Sequence, residues 1–169
     1  MTDTDAISEL AEALVGELIT ADKRLSTAES CTGGWIAKSL TDISGSSQCF
    51  GYGVVSYSNG AKESLLGVAA ATLREHGAVS EAVVREMATG VLNLSGADFS
   101  VAVSGVAGPG GGTAEKPVGT VWLGWAMRAG SNTSVKAVQH QLQGDRAAIR
   151  SGTVILALQG IMEMLESGG

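Results

Sequence analysis

The sequence LSTAESCTGG, residues 25–34, marks the point where a short strand turns into a helix. Its first four residues are partly apolar, as in a buried strand, and apolar residues at helical spacing follow the two glycines. Ser30 and Cys31 thus stand at the junction. Gly33 and Gly34 let a ligand approach the backbone closely, near unpaired helix N–H groups that attract an anion. Taken alone, the run also fits an ordinary strand-to-helix connection with Ser or Thr as the cap.

Helical and strand patterns alternate along the rest of the chain. Helices are predicted over about 5–19, 31–41 and 61–66, from Ser80 as N-cap to about Leu94, and from Asp145 as N-cap onward. Strands are predicted over 25–28, 49–57, 98–104, 118–127 and 133–142. The last two strands are joined without a helix, and so short a connection permits only an antiparallel pair. The pattern predicts an α/β fold, a three-layer α/β/α sandwich with a mixed sheet.

Composition limits the class of protein. The 169 residues, 44% of them hydrophobic, are enough for a single domain over 1–169. A net charge of -6 argues against nucleic acid as a partner, since binding to a phosphate backbone needs a basic surface. No apolar run long enough to cross a membrane and no secretory signal are seen, so we expect a cytoplasmic protein with no membrane partner. Cys31 and Cys49 lack metal-motif spacing, and neither a metal nor a cofactor is expected.

Ser30 is the candidate nucleophile, because its hydroxyl lies at a glycine-rich helix start whose N–H groups can hold an oxyanion. Serine needs a base, and His76 and His140 lie outside any motif. Lys62 is the better candidate, since a lysine whose pKa is lowered by burial can replace histidine as the base. Tyr57 can relay a proton or orient the lysine and substrate. Without further support, this lysine also fits a solvated helix position and the tyrosine a packed sheet position.

Cys31 is the alternative nucleophile, because a thiolate is intrinsically more reactive than a hydroxyl. Glu29 and Lys62 would complete a Cys-Glu-Lys set of the kind that other amidases use. Adjacent side chains point in different directions, so Ser30 and Cys31 are not both expected to face the substrate. If Ser30 is the nucleophile, Cys31 becomes a small buried core residue and Glu29 a carboxylate that supports or orients the substrate.

Polar and glycine-rich segments supply candidate groups for binding a phosphate or a ribose. The segment 104–113 follows a predicted buried strand, where α/β sheets bind ligands, but Pro109 stands where a dinucleotide-binding fold would begin a helix. Arg146 begins the last helix and is a candidate phosphate or carboxylate partner, or else a solvent-exposed residue. The predicted substrate-binding residues are Glu29, Thr32, Gly33, Gly34, Ser46, Ser47, Ser104, Gly105 and Arg146.

Five further glycine-, serine- or lysine-containing segments follow residues 28–34 along the chain. They are 45–47 (GSS), 54–62 (VVSYSNGAK), 77–81 (GAVSE), 104–113 (SGVAGPGGGT) and 116–121 (KPVGTV). In this order and spacing the chain resembles the CinA C-terminal domain family from about Leu10 to Leu165. The resemblance implies a three-layer α/β/α domain with a mixed sheet. It places Ser30, Tyr57 and Lys62 on the family's catalytic positions, and Arg146 on that of a family arginine.

The resemblance implies an amidohydrolase that converts nicotinamide mononucleotide to nicotinate mononucleotide and ammonia without a metal. The expected partner is thus a small pyridine mononucleotide, and a homo-oligomer is expected. Three positions depart from the family pattern: Ser104 replaces a usual threonine, Gly110 a common aspartate and Gly60 a common glutamate. The alternative is a non-catalytic nucleotide-binding or regulatory module, since larger family members carry this domain behind a second one.

Overall fold

A computed structural model describes residues 1–168, which form six α-helices, five strands and a short 3₁₀ turn. The helices are α1 (Asp3–Thr20), α2 (Trp35–Thr41), α3 (Asn59–Leu66), α4 (Ala70–His76), α5 (Glu81–Ser95) and α6 (Arg146–Ser167). The strands are β1 (Leu25–Glu29), β2 (Phe50–Val55), β3 (Phe99–Gly105), β4 (Thr120–Ala129) and β5 (Asn132–Gln141), and the 3₁₀ turn is Ser46–Gln48. Helical and extended segments alternate up to β3, with three successive helices between β2 and β3.

The strands form one mixed sheet in the order β2-β1-β3-β4-β5. β1 lies parallel to both β2 and β3, whereas β4 runs antiparallel to β3 and to β5. The turn between Ala129 and Asn132 joins β4 to β5 directly, which confirms the predicted antiparallel pair. Because β1 has β2 on one side and β3 on the other, the chain reverses its direction of progress across the sheet at β1.

Side chains of different size cover the two faces of the sheet. Large residues such as Leu25, Val101 and Leu123 pack beneath α1, α2 and α6. The opposite face carries small residues, so that α5 comes close to the strands. A Cβ at Gly124 would lie only 2.7 Å from the carbonyl oxygen of Val84 on α5, so glycine is required there. The predicted three-layer sandwich with a mixed sheet is confirmed.

α6 is the one helix within residues 1–168 that is long and apolar enough to cross a membrane by length and composition. This is weak evidence for a membrane span, because a core helix of a globular domain passes the same test. Here α6 contacts α1, α2 and the sheet, and its residues Ile149, Val154 and Leu158 are buried in the core. The apolar character of α6 is therefore explained by packing.

Two boundaries near the cleft and one whole helix differ from the prediction. α2 begins at Trp35 instead of about 31, because Gly33 (φ 61°) and Gly34 (φ 96°) adopt left-handed conformations that a right-handed helix cannot contain. β2 ends at Val55, so Tyr57 lies in the following loop. α4 was not predicted, and it has a single buried residue, Leu73, which leaves no apolar periodicity to detect.

Candidate active site

The carboxyl ends of the three parallel strands meet at one edge of the sheet, where the chain reverses direction at β1. Open α/β sheets bind ligands at such a point. A cleft of about 330 Å³ lies there. Its lining consists of Ser30, Cys31, Tyr57, Lys62, Ala78, Val79, Ser104, Gly105, Val106, Ala107, Gly108, Gly110, Gly111 and Arg146. The three predicted catalytic residues therefore share one cleft with Ser104, Gly105 and Arg146.

Lys62 and Ser30 are in direct contact across the cleft. Ser58 caps α3 by accepting a hydrogen bond from the N–H of Ala61, and this start of the helix places Lys62 in its first turn. The Nζ of Lys62 lies 2.9 Å from the Oγ of Ser30. The same nitrogen donates to the carbonyl oxygens of Ser56 (2.7 Å) and Tyr57 (3.3 Å). Lys62 is only 1% exposed, so the long side chain is fixed along its whole length.

The surroundings of Lys62 favour a neutral amine. Burial lowers the pKa of Lys62 below that of an ordinary lysine. Within residues 1–168 no carboxylate oxygen lies within 4.0 Å of its Nζ to offset this. Two carbonyl acceptors take two N–H groups of the nitrogen, and its third direction faces the Ser30 Oγ: an ammonium donates a hydrogen bond there, whereas a neutral amine presents its lone pair. This is the arrangement that a general base for Ser30 requires.

The thiol of Cys31 is poorly suited to act as a nucleophile. Burial raises the pKa of Cys31 to about 11, so the thiol stays protonated near neutral pH. At 6% exposure Cys31 belongs to the core, as predicted for a structural cysteine. Both Ser30 and Cys31 nevertheless line the cleft, in contrast to the prediction that only one of them faces it. The reason is that both lie in a turn beyond the end of β1, where side chains no longer alternate.

Glu29 supports the backbone beneath Ser30 and does not line the cleft. Its Oε1 accepts hydrogen bonds from the Thr32 hydroxyl (2.7 Å) and the Ile36 N–H (2.8 Å), and its Oε2 accepts one from the Ala37 N–H (3.0 Å). Burial raises the pKa of this carboxyl, although those hydrogen bonds favour the charged form. Glu29 and Thr32, predicted to bind substrate, are thus engaged with each other and with α2.

The same contacts correct the predicted oxyanion site. The N–H groups of Ile36 and Ala37 at the start of α2 already donate to Glu29, so they are not free for an oxyanion. Gly33 also lies outside the cleft lining, and its N–H donates to the carbonyl oxygen of Ser30 at 3.0 Å. The N–H of Cys31 donates to no protein acceptor among residues 1–168. The Thr32 N–H likewise has no acceptor among these residues, and the Cys31 N–H is the one that directly follows Ser30 in the chain.

Arg146 joins two walls of the cleft. Its Nη1 donates to the carbonyl oxygen of Gly108 in the glycine-rich loop (2.8 Å), and its Nη2 donates to the phenol oxygen of Tyr57 (3.3 Å). The predicted relay through the phenol is therefore not seen, since Tyr57 meets Lys62 through its backbone carbonyl instead. Arg146 is the one side chain in the described lining of this cleft that stays charged when Lys62 is neutral, and its guanidinium gives the site a positive character.

Several predicted residues lie elsewhere in the described part of the chain. Ser46 and Ser47 belong to the 3₁₀ turn that precedes β2. This turn lies at the amino ends of the parallel strands, opposite the cleft. Gly34 caps α2 outside the cleft lining. Across residues 1–168 no group of three or more His, Cys, Asp or Glu side chains could hold a metal ion.

Sequence reasoning missed one residue that contacts the Ser30 turn. Arg150, on α6, donates from Nε to the carbonyl oxygen of Cys31 (3.0 Å) and from Nη2 to that of Thr32 (2.9 Å). Its spacing of four residues from Arg146, which puts both arginines on one face of α6, was the available signal.

Comparisons with known proteins identify the family of this chain. The CinA C-terminal domain model matches residues 7–165. Nicotinamide-nucleotide amidohydrolase PncC of Enterobacter agglomerans is 58% identical over 132 residues, 78% of this chain and 79% of that protein. The protein of the same name from Escherichia coli K12 is 47% identical over 163 residues, 96% of both chains. A crystal structure of a competence-damaged protein (CinA) superfamily member from Klebsiella pneumoniae superposes with a TM-score of 0.90 at 40% identity, covering 95% of this chain and 98% of that one. The chain therefore belongs to the CinA C-terminal domain family.

Proposed function

We propose that this chain is a nicotinamide-nucleotide amidohydrolase, which converts nicotinamide mononucleotide and water to nicotinate mononucleotide and ammonia. The observation that carries the proposal is the contact of 2.9 Å between the Ser30 hydroxyl and the buried, carboxylate-free amine of Lys62. A serine activated in this way can attack a carboxamide. The two relatives named as nicotinamide-nucleotide amidohydrolases support this choice of amide.

In the first half of the reaction, Ser30 forms an ester with the nicotinoyl group. The neutral amine of Lys62 takes the hydroxyl proton while the Ser30 Oγ bonds to the carboxamide carbon. The carbonyl oxygen becomes an oxyanion, which the free N–H of Cys31 stabilises. When the tetrahedral intermediate collapses, the carbon–nitrogen bond breaks, and the Lys62 ammonium returns its proton to the leaving nitrogen as ammonia departs.

In the second half, water hydrolyses the ester by the same route. Lys62, neutral again, removes a proton from a water molecule as its oxygen bonds to the acyl carbon. The intermediate then releases nicotinate mononucleotide, and the proton returns from Lys62 to the Ser30 Oγ. The proton transfers to and from Ser30 use groups already in contact, because Lys62 Nζ lies 2.9 Å from the Ser30 oxygen that attacks in the first half and is expelled in the second.

The positive cleft fits a substrate that carries a phosphate. Arg146 is exposed at the cleft, and together with the glycine-rich loop 105–111 it offers a guanidinium and a backbone that a ligand can approach closely. Ser104 and Gly105 end β3 at the same cleft. We assign the phosphate and ribose to this side, and the carboxamide to the side of Ser30.

We further propose that residues 1–169 act as one domain, in the cytoplasm and as a homo-oligomer, with no cofactor and no nucleic-acid or membrane partner. Helices cover both faces of the sheet over the whole described chain, which supports the single domain. The excess of acidic residues, 17 against 11 basic ones, opposes binding to nucleic acid.

The test is to incubate the purified protein with nicotinamide mononucleotide and to measure ammonia and nicotinate mononucleotide together. Equal release of both products, lost in Ser30→Ala, supports the proposal. Binding of the nucleotide without product, seen by calorimetry, would instead favour a non-catalytic module. Release of nicotinamide without ammonia would place the cleavage on the glycosidic bond and refute the proposal.

A further inference from the structure

Arg150 holds the Ser30 turn from a distant part of the chain. Its Nε and Nη2 donate to two successive carbonyl oxygens, those of Cys31 and Thr32, at 3.0 and 2.9 Å. The guanidinium also lies over the Trp35 ring, 5.5 Å from its centroid, at the start of α2. A planar guanidinium that makes two such bonds and stacks on an aromatic ring has a single well-defined orientation.

Two hydrogen-bonded peptide groups connect this guanidinium to the N–H of Cys31. The carbonyl of Thr32, held by Arg150, belongs to the same peptide group as the N–H of Gly33, and that N–H donates to the carbonyl oxygen of Ser30 at 3.0 Å. The Ser30 carbonyl belongs in turn to the peptide group that carries the N–H of Cys31. Because a trans peptide group is planar, with its C=O and N–H pointing in opposite directions, fixing each carbonyl fixes the next N–H.

The chain of bonds also carries polarisation. A positive charge at the first carbonyl draws electron density from that peptide group and strengthens its N–H as a donor, and the effect passes to the next peptide group. The Cys31 N–H stands at the end of this chain with no protein acceptor among residues 1–168. It is therefore both aimed and polarised through Arg150.

We propose that Arg150 is a positioning residue for the amide hydrolysis: it holds the Ser30 turn so that the Cys31 N–H is directed at the developing oxyanion. The inference rests on the proposed function for the identity of the substrate. The role of the Ser30 turn does not depend on which amide is hydrolysed. An oxyanion forms only after attack, so Arg150 acts on kcat and leaves substrate binding largely unchanged.

Arg128 provides a matched control. Its Nε and Nη2 donate to the backbone carbonyl oxygens of Ala97 and Leu92, both at 2.8 Å, at the opposite end of β4 from the cleft. Arg128→Gln therefore removes the same kind of double contact without touching the Ser30 turn. Melting temperatures of Arg128→Gln and Arg150→Gln show how much each contact contributes to the fold.

The experiment measures kcat and KM with nicotinamide mononucleotide for the wild type, Arg150→Gln, Arg150→Lys and Arg128→Gln. We expect Arg150→Gln to lose about 30-fold or more in kcat, with KM within about threefold of the wild type. Complete removal of an oxyanion donor typically costs about 10² to 10³-fold in kcat, and here the donor is misaligned and not removed. Arg150→Lys keeps the charge without the two-pronged geometry and should fall between the wild type and Arg150→Gln. Arg128→Gln should keep kcat within about twofold. If kcat falls equally in Arg128→Gln and Arg150→Gln, or in neither, the proposal is wrong.

A second readout separates this proposal from the proposed function. A fluorophosphonate probe reacts when the Ser30 oxygen bonds to phosphorus, fluoride leaves and the hydroxyl proton passes to Lys62, and mass spectrometry gives the labelling rate. Slow labelling of Arg150→Gln beside normal labelling of Arg128→Gln supports the role of Arg150 even if the wild type does not hydrolyse nicotinamide mononucleotide. Equal labelling rates in all three proteins would overturn it. So would a wild-type protein in which the probe leaves Ser30 unlabelled.

Discussion

The Nζ of Lys62 lies 2.9 Å from the Oγ of Ser30, although the two residues are 32 positions apart in the sequence. Burial of an amine without a carboxylate partner costs free energy, because the charged form loses its hydration. The fold maintains this contact through the capped start of α3 and the carbonyl groups of Ser56 and Tyr57. A group that is unfavourable for stability and in contact with a hydroxyl is characteristic of catalytic sites.

Substitution of the two neighbouring candidate nucleophiles separates their roles. Ser30→Ala should abolish turnover with the fold intact, since no other hydroxyl among residues 1–168 hydrogen-bonds to Lys62 Nζ. Cys31→Ala should keep most of the activity, because the thiol pKa of about 11 leaves it protonated and the backbone N–H survives. Steady-state rates with circular dichroism for each variant decide the matter. An active Ser30→Ala together with a folded but inactive Cys31→Ala would assign the nucleophile to Cys31.

Removal of the Lys62 amine should lower activity and raise stability at once. Lys62→Met should lose about 10² to 10⁴-fold in kcat, the usual value of general-base assistance. Its melting temperature should rise by about 2–4 °C for each kcal/mol gained, because a buried apolar side chain replaces a desolvated amine. Lys62→Arg should remain inactive, since a guanidinium does not release its proton near neutral pH. Turnover that survives in Lys62→Met or in Lys62→Arg would contradict the role of base.

The rate should depend on pH through the same amine. The protonated form of Lys62 cannot act as a base, so kcat/KM rises with pH and levels off above the pKa of Lys62 in the free enzyme. Burial lowers that pKa, so the midpoint should lie below about 10.4, the ordinary value for lysine. Stability should rise with pH over the same range, because the unfolded chain then binds the proton that the folded chain has released.

The control for this profile is Cys31→Ala. The Cys31 thiol titrates at about 11, above the expected range for Lys62, so the rising part of the profile should persist in that variant. It should vanish in Lys62→Met. A rise that disappears with Cys31→Ala would assign the titration to the thiol instead.

The sheet could be predicted from local patterns, because strand formation and the antiparallel pair depend on neighbouring residues. The short connection 128–132 decided that β4 and β5 pair directly. The turn at Gly33 and Gly34 could not be placed correctly, since apolar spacing does not report the left-handed conformations that delay α2 until Trp35.

The candidate site was predictable only in part, for a physical reason. Ser30, Tyr57, Lys62 and Arg146 line one cleft, and their catalytic and binding roles stay predictions. The contact of Arg150 with the Cys31 carbonyl joins residues 119 positions apart, and the bonds of Glu29 to α2 require the actual path of the turn. Neither leaves a periodic signal in the sequence. Which polar groups are free and which are already engaged is therefore a property of the folded chain.

Chelation should leave the rate unchanged. Among residues 1–168 no cluster of potential ligands could hold a metal ion, and the proposed reaction uses only Ser30 and Lys62 for proton transfer and attack. Turnover of nicotinamide mononucleotide before and after exhaustive treatment with a strong chelator measures this. Loss of activity that added zinc restores would rule out the serine mechanism.

The phosphate of the substrate should be recognised through Arg146. The guanidinium is the one charge in the described cleft lining that persists when Lys62 is neutral, so nicotinamide riboside, which lacks the phosphate, should have a markedly lower kcat/KM than nicotinamide mononucleotide. Arg146→Gln should reduce that preference mainly by raising KM for the mononucleotide. It should affect the riboside less, because the riboside offers no anion to the guanidinium.

The matched control for Arg146→Gln is Arg74→Gln, which removes the same charge from an exposed position on α4 outside the cleft. If long-range attraction produced the preference for the mononucleotide, both variants would reduce that preference equally. Added salt would also weaken the preference. A direct contact predicts that Arg146→Gln alone loses it, since the guanidinium lies in the cleft wall between Gly108 and Tyr57. Equal kcat/KM for the two substrates in the wild type would refute the assignment of the phosphate to the Arg146 side of the cleft.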